Sequence, residues 1–362
     1  MSEKDNKLNI IKGLATFSVC SGHVLDRFVY YRTDYQSTYL KILYKYIPIS
    51  WLFITAGGIG VIYFCLLSGM FCYKSKIVSF KDFIFKSFKR YINFFSLLLL
   101  CNIVMIICSA CGFFNSEGNR VLSSNELYPN LPVAKGIVKA LRIESWNGAM
   151  WMIKYLFFGN IIVYFFCYLK NILSRKWVLF IIYLLMLIGA WYIDPLVAVT
   201  VGGVIFSYFF RYGNKILDSI TNYSESKKYR TILLIAYILL LNVLTIGIQL
   251  PPFLVHYYVF TMPFAFSMIL VEYQMIALLG DRVISCLNKV SNYQMAMFCV
   301  HIPIIYTFGG WLYGITLDRI KEEMIHIFLV YICIIVFVVV MSFLYESYIE
   351  HNRRKMISFI KR

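Results

Sequence analysis

Apolar residues run along this chain in long blocks separated by short polar intervals. Ten blocks reach or approach the length that crosses a bilayer: about 8–30, 51–73, 91–113, 149–169, 177–193, 195–211, 230–250, 257–279, 293–314 and 325–346. A hydrocarbon core of about 30 Å needs roughly 20 apolar residues in helical form. The pattern therefore predicts an all-α, polytopic integral membrane protein of about ten transmembrane helices. Asp194-Pro195 forms the narrow break between the fifth and sixth blocks. The longest polar interval, Phe114 to Ala149, is too short for a sizeable soluble domain. Residues 1–346 read as one transmembrane domain and 347–362 as a basic cytosolic tail.

Composition agrees with the pattern. Hydrophobic residues make up 60% of the chain and charged residues 15%, and the mean hydropathy is +0.71, which excludes an ordinary soluble globule. Charge then orients the helices. With the N-terminus in the cytosol, 24 of the 35 Lys and Arg residues fall on the cytosolic side, so the positive-inside rule predicts both termini inside. Basic loops beside anionic lipid account for the formal charge of +17 without a nucleic-acid partner. Met1 to Lys7 lacks a convincing signal-peptide n-region, so the first helix is expected to be retained.

Chemistry enters with Lys12 and His23, in a segment otherwise apolar enough to enter a membrane. Eleven residues at 100° each come to about 20° past three full turns, so the two side chains share one helix face, about 16 Å apart along the axis. Titratable groups at membrane depth are costly and usually face a bundle interior or a wet cavity. One reading is chemistry inside the bilayer; the other is a snorkelling lysine and a hydrogen-bonded core histidine. The ten cysteines add little, because most sit in apolar spans where a thiol acts as a small hydrophobe. Cys108 and Cys111 form a C-x-x-C, but no second pair or histidine cluster completes a zinc site, and no metal is expected. There is no P-loop, no H-E-x-x-H and no internal repeat.

Five segments together carry a family resemblance. Leu8 through Gly13, an apolar run and then Ser21-Gly22-His23 resemble the first helix of the membrane-bound acyltransferase 3 family. Val61 through Phe71, with Ser68-Gly69, is similar to the end of its second helix. Phe85 through Tyr91 resembles the basic start of its third, and Trp151 through Leu156 the start of its fourth. Ser291-Asn292-Tyr293 through Val300-His301-Ile302-Pro303 resembles its ninth. Each motif alone is weak, but five in order on ten helices are specific. The chain departs from the pattern at Asn9, Ser87, Asn93, Ile153 and Val300. Lysine at position 12 resembles the fucose 4-O-acetylase-like branch, among the surface polysaccharide O-acetyltransferases.

The resemblance implies a bacterial cytoplasmic-membrane enzyme that moves an acyl group, acetyl being the commonest case, from acyl-CoA to a hydroxyl of a cell-surface or lipid-linked saccharide. Such a transfer needs a base for the hydroxyl proton, stabilisation of the oxyanion and a way to hold both substrates. His23 is the candidate base, since a neutral imidazole suits proton abstraction. Lys12, Lys86, Lys89 and Arg90 are candidates for the phosphates of acetyl-CoA; Arg90 leads because its planar fork suits phosphate. Trp151, Lys154, His301 and Glu272 are candidates on the acceptor side. Each also has a plainer reading: an interfacial aromatic, a hydrogen-bonded core histidine, a carboxylate that reaches water. Ser68 and Gly69 read as helix-packing residues. An exporter or flippase of a lipid-linked saccharide is the alternative. It has against it a single clear intramembrane carboxylate and no pair of broken helices in matching halves. The chain stops about 16 residues after its last helix, so no appended esterase-like domain is expected.

Overall fold

The computed structural model describes residues 3–25, 27–28, 56–122, 128, 130–221, 232, 235–236, 239, 257–352 and 355. The expected span at 230–250 lies almost wholly outside these residues, as do His256, the start of the second span and the end of the first. The described elements are helices, with no strand among them. In chain order they are α1 (Glu3–Leu25), α2 (Ala56–Tyr73), α3 (Phe80–Ala110), α4 (Glu117–Leu122), α5 (Val133–Leu141), α6 (Met152–Ile172), α7 (Lys176–Ile193), α8 (Pro195–Thr221), α9 (Tyr257–Ala277), α10 (Asp281–Ser291), α11 (Gln294–Ile304), α12 (Gly310–Leu317) and α13 (Glu323–Leu344). Among the described residues, 7 helices are long and apolar enough to cross a membrane, and α2 and α9 contain shorter apolar stretches. The protein is a multi-pass α-helical membrane protein.

Two boundaries show how local chemistry sharpens a hydropathy reading. Asp194 accepts a bond from the Leu196 amide (2.8 Å) and Pro195 opens α8. This N-cap followed by a first-position proline makes the narrow break a true helix boundary. The basic cluster was expected just before a third helix starting near 91, yet α3 begins at Phe80. Ser79 and Asp82 explain the shift: the Asp82 amide donates to Ser79 Oγ (3.1 Å) and the Ser79 amide to Asp82 Oδ2 (3.0 Å). This reciprocal cap nucleates the helix ahead of the apolar stretch. Lys86, Lys89 and Arg90 therefore ride on α3 itself.

The described chain forms two compact units, with α1 and α3 each contributing a segment to both. The first comprises Met1–Ala15, Gly58–Ile92 and Met152–Ser291. Here α8 lies against α6, α7 and α9. Val163, Tyr164, Phe166, Val197, Ala198, Val201 and Val204 build much of its core. Small residues bring backbones together: a Cβ on Gly69 would meet the Thr200 carbonyl, and one on Gly159 would meet the Thr200 side chain.

The second unit comprises Thr16–Gly57, Asn93–Trp151 and Asn292–Arg362. In it α11 packs on α13, and the short α4 packs on α12. Pro303 interrupts the donor pattern of α11, and residues 305–309 continue it as a π-helical turn into α12. Thr307 donates to the Pro303 carbonyl (2.7 Å), and Asn119 Nδ2 donates to the Tyr306 carbonyl (2.5 Å). Asn102, fully buried in α3, organises the chain between α5 and α6. Its Nδ2 donates to Gly136 O (2.9 Å), and its Oδ1 accepts from Ser145 Oγ (2.7 Å) and the Trp146 amide (2.9 Å). Ile143, at φ 59°, closes α5, with its amide on Ala140 O and the Glu144 amide on Lys139 O. Glycine usually fills this left-handed position; a β-branched residue there is strained. Helical backbone from α13 continues to Asn352, past the expected boundary at 346.

Candidate active site

Helical phase puts His23 in the last turn of α1, and the second unit brings it to α11. The His23 and His301 rings lie 5.4 Å apart between centroids at 27°. His301, two turns into α11, is wholly buried, and its Nδ1 is 2.8 Å from the Met297 carbonyl. A carbonyl only accepts, so this nitrogen carries the hydrogen, while Nε2 is buried with no hydrogen-bond partner among the described residues. Cys20 Sγ approaches the same Met297 carbonyl at 4.0 Å, and Ser21 Oγ lies 2.6 Å from Tyr331 Oη on α13. The end of α1 is thereby fixed against α11 and α13. Two imidazolium ions at 5.4 Å would repel by about 3 kcal/mol at an effective dielectric near 20, so a doubly charged pair is disfavoured.

A second cluster joins Arg27 to α4 and to the π-turn after α11. The Arg27 guanidinium, 6% exposed, lies over the Tyr306 ring at 4.9 Å and donates to Asn119 Oδ1 at 3.3 Å. Glycine is required where α4 meets α12: a Cβ on Gly118 would strike the Gly310 carbonyl.

Two of the cations expected to serve the donor, Lys12 and Arg90, meet one turn of α2 in the first unit. Lys12 Nζ sits 4.0 Å above the Phe71 ring. Arg90 donates to Ser68 Oγ (3.0 Å), and Ser68 donates onward to Asn160 Oδ1 (2.9 Å), which also accepts from Cys72 Sγ (3.1 Å). Lys12, Lys86 and Arg90 all lie within electrostatic reach of Cys72. Lys86 also donates to the Lys76 carbonyl, whereas Lys89 is exposed. Ser68, expected to serve packing alone, is thus a hydrogen-bonding partner of Arg90.

The remaining candidates are dispersed. Glu272 on α9 is half-buried and accepts from Tyr63 Oη at 3.1 Å. Trp151, 45% exposed, closes a short 3-10 turn (Gly148–Trp151). Lys154 is half-buried in the first turn of α6. His326 is buried against Tyr313, with Nε2 2.8 Å from Thr316 Oγ1. Attention to titratable residues passed over Arg27, Asn102, Asn119 and Asn160. Their signal was available: a guanidinium one turn after His23, and single amides within or beside apolar spans. Among the described residues no group of three or more His, Cys, Asp or Glu could hold a metal ion.

No curated protein and no solved structure matches the chain. The family model for the acyltransferase domain, acyltransferase 3, matches residues 5–346, which takes in α1 through α13 almost entirely. Taken with the membrane-spanning helices, this match makes the protein a membrane acyltransferase, a member of the acyltransferase 3 family.

Proposed function

We propose that the protein transfers an acyl group, most simply acetyl, from acyl-CoA to a hydroxyl of a cell-surface or lipid-linked saccharide, with His23 as general base. The observation that carries this reading is the His23–His301 pair at the end of α1. In the reaction the acceptor oxygen attacks the thioester carbonyl while its proton passes to His23. The carbon–sulfur bond then breaks, and the thiolate leaves with that proton. His301 is a positioning residue: its backbone bond fixes its ring, and the ring face holds His23 in place.

Lys12 and Arg90, with Lys86 beside them, are assigned to the donor phosphates, and exposed Lys89 to longer-range attraction. Trp151 and Lys154 are assigned to the acceptor path, with Glu272 oriented by Tyr63. A test is steady-state transfer by the reconstituted protein with acetyl-CoA and an isolated surface glycan. Lys12→Ala should raise the acetyl-CoA KM about tenfold, worth about 1.4 kcal/mol, with the acceptor KM unchanged. A change confined to the acceptor KM would refute the donor role, and no glycan-dependent release of free CoA would refute the saccharide acceptor.

Family membership is the support for a bacterial cytoplasmic membrane location, and the basic-residue asymmetry is the support for both termini inside. Reporter fusions after Lys7 and after Arg362 should both report cytosol. An external signal at either terminus would overturn this orientation.

A further inference from the structure

The interval from Phe114 to Ala149 reads in sequence as polar, yet α5 within it exposes a continuous apolar face. Val133, Ile137, Val138 and Leu141 are 60%, 44%, 46% and 49% exposed. At 100° per residue these four occupy about 0–140° of the helix circumference. Lys135 and Lys139 follow at about 200–240°, and Gly136 and Ala140 at about 300–340°. The last two form the protein-facing strip. Both are buried, and a Cβ on Gly136 would lie 2.9 Å from the Trp146 ring and 3.0 Å from Ile106.

Depth follows from the residue to which α5 is tied. Asn102 Nδ2 bonds the Gly136 carbonyl. Asn102 precedes the end of α3 at Ala110 by eight residues, about 12 Å at helical rise. The helix therefore docks beside the apolar stretch of a spanning helix, below its end. That stretch exposes Ile103 and Ile107, about 60° and 100° round the helix from Ile106, the residue under Gly136.

We propose that α5 is an interfacial helix, seated in the bilayer at the headgroup boundary, with Val133, Ile137, Val138 and Leu141 against acyl chains and Lys135 and Lys139 directed to lipid phosphates. Two observations select lipid as the occupant. The apolar face belongs to a helix docked on the apolar stretch of α3, where Ile103 and Ile107 are exposed as well, and the lysines border that face as they do where an amphipathic helix meets anionic headgroups. Since Asn102 also holds Ser145 and Trp146, the same contact holds the chain after α5 at the membrane surface.

The test uses the full chain reconstituted in phosphatidylcholine–phosphatidylglycerol vesicles with and without brominated acyl chains. Ile137→Trp and Lys135→Trp are compared after subtraction of the parent protein's six tryptophans. The added emission of Ile137→Trp should be blue-shifted and quenched several-fold more than that of Lys135→Trp. Leu141→Trp, on the same face, carries the same comparison should Ile137→Trp fail to reconstitute. Equal, weak quenching at both positions would place the helix in water and overturn the proposal. A blue-shifted Ile137→Trp that brominated lipid leaves unquenched, with Val138→Cys forming disulfide-linked dimers, would assign the face to a second copy and overturn it equally.

Discussion

His23→Gln should reduce acyl transfer by about 10²-fold or more, the loss typical of removing a positioned base, while the protein still inserts and retains its fold. Glutamine preserves hydrogen-bonding capacity and approximate volume but cannot carry the proton between hydroxyl and thiolate. Because the side chain is half-buried and stacks on His301, a purely structural histidine would tolerate this replacement far better than a base would. The comparison needs transfer rates for parent and variant at matched amounts of folded protein. Near-parental transfer by correctly inserted His23→Gln would remove His23 from the chemistry. The family membership would stand, and the proton acceptor would have to be sought elsewhere.

Gly203→Ala should destabilise the protein by about 1–3 kcal/mol, although alanine is the better helix former by about 1 kcal/mol. A Cβ at Gly203 would strike the Leu66 carbonyl and lie 2.6 Å from the Met70 nitrogen and 2.8 Å from Gly69 Cα. All three are backbone atoms of α2, so no side chain can move aside; the two helices must separate. That separation would loosen the turn carrying Ser68 and Phe71, which contact Arg90 and Lys12. Gly189→Ala provides the control, since a Cβ there meets nothing within 4 Å. It should be neutral or stabilising by up to about 1 kcal/mol. Thermal unfolding in detergent of both variants beside the parent measures the contrast. Equal melting temperatures for the Gly203 variant and the parent would contradict the close α2–α8 crossing.

The two variants probe different levels of legibility. His23 stands out in the sequence because an imidazole on the Lys12 face of an apolar helix is costly without a reason, and the surrounding motifs match the acyltransferase 3 family over residues 5–346. Gly203 does not stand out. Glycine is frequent in membrane helices, and only the position of α2 distinguishes it from Gly189. The same holds for the start of α3, where the Ser79–Asp82 cap lies outside the apolar block that drew attention to the helix. Hydropathy weighs the burial of side chains; it is blind to a cap that satisfies backbone donors.

By itself the sequence determined the class of the protein, its family and most spanning segments. Helix formation in a bilayer depends on local apolar length, and helical phase depends only on residue spacing. Partners distant in the chain were decided by tertiary structure: His301 for His23, Ser68 and Asn160 for Arg90, Asn102 for the turns after α5. Such pairings follow from which helix faces meet and how closely glycine lets their backbones approach. That information is shared between segments and is carried by neither one alone.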